Sequence, residues 1–161
     1  MRLDYGTELP EATSAMSGLE AVVRQSTLEQ KLLELVRIRA SQLNGCGYCL
    51  DMHTKDAEAI GETEQRLHLV AAWREAPVYS DRERAALGWA EALTLLADTG
   101  APDDVYADVE RLFTPAERVA LSLAIVAING WNRLSVGFRQ PAGGYVSRRG
   151  SVAAGPEAGR G

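Results

Sequence analysis

The segment Thr114-Pro115-Ala116-Glu117, with Val119, Leu121, Leu123, Ile125, Val126 and Ile128 directly behind it, constrains the fold more than any other stretch of the chain. A hydroxyl N-cap, a proline at the first helical position and a glutamate at N3 together open a helix. Its apolar positions fall on nearly all sides, which demands burial almost all round. No segment alternates convincingly with a period of two, so the elements that cover it read as helices too. The fold class is all-α, a compact single-domain helical bundle.

The remaining punctuation marks out about seven helices in total. Glu11 to Arg24 forms the first. Thr27 with Gln30 at N3 reads as a capping box opening a second helix to about Leu43, which Asn44-Gly45 breaks. A third starts near Cys46 and ends at Gly61, a C′ glycine. Thr63 caps a short helix through Trp73, and Pro77 separates it from the next. Ser80 and Glu83 form another capping box for a helix to about Ala97; Gly100 stops it and Pro102 begins a further helix to Phe113.

The 161 residues, 46% apolar, suit one domain with a sizeable core, which we place at residues 1–140. Residues 141–161 are rich in Gly, Ala, Ser and Arg and nearly free of bulky apolar groups. Such a segment buries too little surface to offset its ordering entropy, so it reads as a flexible C-terminal tail; docking on a neighbouring subunit is the alternative. The net charge of −5 provides no basic stripe for phosphates and argues against nucleic acid as a partner. The N-terminus has no apolar core of the secretory kind, and the run from Val119 to Ile128 is about half the ~20 residues of a membrane span. The expectation is a cytoplasmic protein without a membrane partner.

The two cysteines of the chain stand at Cys46 and Cys49, and His53 follows one helical turn later. In a reducing compartment a lone CxxC is more often catalytic, redox-sensing or metal-binding than a structural staple. On a helix Cys46, Cys49 and His53 share a face with Leu50, Ala57 and Ile60, so the sulfurs and the imidazole point to the core. The first turn of a helix favours thiolate over thiol, and His53 is placed to take a proton. A thiolate there can attack a peroxide oxygen, and its partner can then close a disulfide. Inert core packing competes with this reading. So does a structural zinc held by Cys46, Cys49, His53 and His68, although the spacing departs from finger patterns. His68 on its own reads as an ordinary surface or core histidine. Periodicity puts Glu34 on a polar stripe with Gln30, Lys31, Arg37 and Ser41, solvated or paired with Arg37.

Glu34, Cys46, Cys49 and His53 follow the spacing Glu-x11-Cys-x2-Cys-x3-His. This resembles the signature of alkylhydroperoxidase D-like (AhpD-like) proteins of the carboxymuconolactone decarboxylase superfamily. Asp81 to Leu87 and the run Asn129-Gly130-Trp131-Asn132-Arg133 resemble its small single-domain members, and the similarity spans about residues 10–140. The resemblance implies an oligomeric all-helical fold, commonly a trimer or hexamer. It also implies a thiol-dependent peroxidase acting on hydroperoxides and recycled by a dithiol reductant. Cys49 would be the attacking thiolate, Cys46 the resolving thiol, and Glu34 with His53 the proton relay. No cofactor or metal is called for, since sulfur carries the electrons. Tyr48 stands where some members carry a histidine, and a phenol with a reference pKa near ~10 is a poor replacement for imidazole. Two alternatives remain: a redox-sensing or interaction oligomer with little turnover, and the zinc site. Trp131 and Arg133 read as packing and a helix-end ion pair rather than substrate contacts.

Overall fold

Helix ends marked by hydroxyl caps and left-handed glycines divide the chain into nine α-helices among the described residues, 1–149 of this computed structural model. They are α1 (Tyr5–Glu8), α2 (Pro10–Arg24), α3 (Gln30–Leu43), α4 (Gly47–Ala59), α5 (Glu64–Leu69), α6 (Asp81–Thr94), α7 (Leu96–Thr99), α8 (Asp103–Leu112) and α9 (Pro115–Phe138). A 3₁₀ turn, Val70–Ala72, extends α5. Seven of the nine correspond to the helices expected from punctuation; α1 and α7 are single turns.

The capping chemistry holds at three of the four predicted hydroxyl starts. Ser80 with Glu83 and Thr114 with Glu117 form reciprocal capping boxes, and the Thr63 hydroxyl accepts from Arg66 N–H. Thr27 does not cap α3. That helix starts three residues later with Glu29 at the N-cap and no side-chain bond, while the Thr27 hydroxyl donates to Glu117 at 3.3 Å. The physical reason is burial: Leu28, only 3% exposed, is drawn into the core, and the chain between α2 and α3 turns to put it there. The helix expected to reach Ala97 breaks at Leu95, and α7 restarts it before Gly100 closes it in the left-handed region.

At the centre stands α3, whose residues Leu32 to Ile38 are all buried. Around it pack α4, α6 and α9. One apolar cluster joins Leu32, Leu33 and Val36 to Ala86 and Trp89 of α6 and to Leu121, Ala124 and Ile125 of α9. A second, on the other side of α3, joins Leu35 and Ile38 to Ala57 of α4 and to Leu67, Val70, Trp73 and Tyr79. At 24 residues and a mean hydropathy of 1.3, α9 meets the length and apolarity of a membrane-crossing helix, yet it is a core element contacting α2, α3, α4, α6 and α8.

Residues 141–149, expected as the start of a flexible tail, lie instead along α4. The Asp51 carboxylate accepts from Gly143 and Tyr145 N–H at 2.9 and 3.2 Å, and Lys55 Nζ donates to the Tyr145 carbonyl at 2.8 Å. Polar bonds rather than apolar burial anchor this strap, which is why composition did not reveal it. The rest of the expected tail, 150–161, lies outside the described residues.

Candidate active site

Two back-to-back helix ends deliver the cysteines. At the close of α3, Gly45 adopts φ 64° while its N–H bonds the Gln42 carbonyl and Cys46 N–H bonds the Ser41 carbonyl. That Schellman closure leads straight into α4, whose N-cap is Cys46. The Cys46 sulfur accepts the Cys49 N–H at 3.3 Å. Both cysteines are free and 1% exposed, packed with Ala40 and Ile128. Cys49 Sγ also lies 3.9 Å from Ser135 Oγ of α9.

The sulfurs divide one proton unequally. A hydrogen bond from the Cys49 thiol, reinforced by the Cys49 N–H, Asn132 and Ser135, outweighs burial and pulls Cys46 down to about 6. That same bond, then burial and the charge on Cys46, pushes Cys49 up. The resting pair therefore holds its anion at Cys46, the helix N-terminus, and its proton at Cys49; the two titrate as a unit.

Behind the sulfurs lies a buried carboxylate. Glu34 has no exposure; Oε2 meets His53 Nδ1 at 2.7 Å and Oε1 accepts from Arg37 at 2.9 Å, while Arg37 also pairs with Glu20 at 2.6 Å. Burial would raise the Glu34 carboxyl, but the His53 hydrogen bond and charge, then Arg37 and Arg149, outweigh it and hold it below the usual range. The solvated reading of Glu34 is thereby corrected: α4 covers the stripe that periodicity placed in water.

Cys49 and His53 open onto one cavity of about 450 Å³, lined also by Tyr48, Met52, Trp131 and Tyr145. Of the four residues of the possible zinc set, His68 stands apart on α5, exposed beside Glu64, and no group of three or more metal-ligating side chains forms among the described residues. Asn132 is 1% exposed and holds the site's frame, donating to Ser41 and accepting from Asn44. Arg133 is not at a helix end; it donates to the Asn129 carbonyl and side chain inside α9. Sequence reasoning missed Asp56, which is 5% exposed and lines the cavity. Its position three residues after His53 on the same stripe was the available signal.

Fold and site together define a small all-α protein built around a paired-cysteine centre backed by a buried glutamate–histidine pair. Residues 8–92 match the Carboxymuconolactone decarboxylase family. The uncharacterized protein YdfG of Bacillus subtilis (strain 168) is 42% identical over 135 residues, 84% of this chain and 92% of its own. A crystal structure from Agrobacterium tumefaciens, of a protein of unknown function proposed to be the antioxidant defence protein AhpD, superposes with a TM-score of 0.85 at 45% identity. The match covers 88% of this chain and 97% of that one. The debrominase Bmp8 shares the fold alone, with a TM-score of 0.76 at 16% identity over 91% of this chain and 76% of its own. The chain belongs to the carboxymuconolactone decarboxylase family, as an AhpD-like member of its superfamily.

Proposed function

We propose that this protein is a thiol-dependent peroxidase that reduces hydroperoxides through Cys49 and Cys46, with Glu34 and His53 as the proton relay. The observation that carries the reading is one cavity wall presenting Cys49 and His53 while Cys46 hydrogen-bonds Cys49 from behind. The antioxidant role proposed for the Agrobacterium relative points the same way.

In the cycle, the shared proton passes from Cys49 to Cys46 as the hydroperoxide enters, leaving the thiolate on the cavity side. Cys49 sulfur attacks the terminal peroxide oxygen; an S–O bond forms, the O–O bond breaks, and the leaving alkoxide takes the Cys46 proton by way of His53. The Cys46 thiolate then attacks the sulfenic sulfur. The S–S bond forms and hydroxide leaves, taking a proton from solvent to become water. A dithiol reductant restores the pair by exchange, as one thiol and one thiolate. The net change is one thiol, one thiolate, a proton and a hydroperoxide giving a disulfide, an alcohol and water. The chemistry requires a reducing compartment such as the cytoplasm.

Stopped-flow reduction of an organic hydroperoxide tests the role, with Cys49→Ser expected to abolish turnover; equal rates in variant and parent overturn it. Trapping the sulfenic acid in Cys46→Ser and in Cys49→Ser tests the assignment. Because the resting anion sits on Cys46, a trap found only in Cys49→Ser reverses the two roles. Oxidation that stops after one equivalent replaces the peroxidase with a redox sensor. The same reading includes a homo-oligomer, trimer or hexamer, supported by Val119 and Val126, exposed seven residues apart on α9. Light scattering that returns a monomer would remove that part.

A further inference from the structure

The strap of residues 141–149 does more than cover α4. Asp56 is a buried carboxylate met by three residues of this one segment: Tyr145 OH donates at 3.0 Å, Ser147 Oγ at 2.5 Å, and Arg149 Nε lies 3.4 Å away. Arg149 then reaches deeper, its Nη1 3.1 Å from Oε1 of the wholly buried Glu34. Arg149 and Tyr145 also line the cavity that holds Cys49 and His53.

Charge explains the arrangement. Glu20, Glu34 and Asp56 are three buried carboxylates, and Arg37 pairs with the first two. A buried carboxylate without a cation is costly. Arg24, Arg148 and Arg149 line the cavity together with Arg37, and Arg149 bridges Glu34 and Asp56. Arg37 and Arg149 both take Oε1 of Glu34, so Oε2 is left to His53 Nδ1, and Nε2 becomes the ring nitrogen free to exchange protons.

We propose that Arg149 is a positioning residue of the Glu34–His53 pair, delivered by the C-terminal strap to tie Glu34 to Asp56 and to hold Oε1 of Glu34 so that Oε2 stays on His53 Nδ1. The proposal rests on the peroxidase reading for its consequence in turnover, but its structural content does not depend on catalysis.

The test uses the full chain labelled with 15N at its histidines, of which there are two. His68, with its side chain 73% exposed, supplies an internal reference. In Arg149→Gln the His53 Nδ1 signal is expected to shift as its hydrogen bond to Glu34 loosens, and Arg149→Lys to bring it most of the way back. Peroxidase kcat in Arg149→Gln should fall about tenfold, a fraction of what general acid–base catalysis supplies, with KM nearly unchanged. Arg24→Gln removes a cation from the same cavity without disturbing the strap and is expected to leave the His53 signals in place. Unmoved His53 signals in Arg149→Gln, or an equal movement in Arg24→Gln, overturn the assignment. A parent protein inactive toward peroxides, with the shift present in Arg149→Gln and absent in Arg24→Gln, upholds the positioning role and removes the peroxidase alone.

Discussion

Cys46 performs three local tasks. Its N–H closes α3, and its sulfur caps α4 and holds the resting anion of the thiol pair. Alkylation of the reduced protein by iodoacetamide is therefore expected to rise through an inflection near pH 6, read by mass spectrometry, and Cys46→Ser to move the inflection of the remaining thiol upward. Glu34 makes the opposite kind of statement. Its carboxyl is held below the ordinary range, so the stability it contributes is complete above its unfolded value, about 4.5, and is lost as pH falls through the lower folded value. Glu34→Gln leaves Arg37 and His53 short of a buried partner. It should cost about 3–5 kcal/mol in urea unfolding at pH 7, with the difference from the parent narrowing in acid.

Among the elements, α9 shows how a short motif acts at distance. Glu117 closes the Thr114 capping box and also takes Arg82 at 2.6 Å, while Arg82 stacks on Phe113 and bonds the last carbonyl of α8. The Thr114 N–H, then Arg82, hold Glu117 down to about 2. Its contribution is present above its unfolded value and disappears as pH falls toward 2. Glu117→Gln should lose about 1–2 kcal/mol near neutrality, and thermal unfolding of the two proteins should converge near pH 2. Deeper in the same helix, Leu121 has no exposure and packs on α3 and α6, so Leu121→Ala should cost about 2–5 kcal/mol. Helix α3 makes the complementary point. Its polar stripe was legible as amphipathic spacing, but that stripe is covered by α4, α2 and the strap.

At the scale of the whole molecule, helices from both halves of the chain converge on one site, and the C-terminal strap completes it. Removing residues 141–161 strips Asp51, Lys55 and Asp56 of the strap bonds, so the shortened chain should unfold about 5–10 °C lower in a calorimetric scan. What the sequence determined by itself was local. Caps, prolines and glycines act within a turn of where they stand, so the seven longer helices and the alignment of Cys46, Cys49 and His53 could be read directly. So could the family, because the Glu34-to-His53 spacing is a property of the chain alone. What only the tertiary structure decided was which polar groups left water. Glu34 is buried because α4 crosses it, Thr27 gives up its cap because Leu28 sinks into the core, and Arg149 reaches Glu34 across 115 positions of sequence. Periodicity assigns a residue to a face, but burial depends on what the rest of the chain lays over that face.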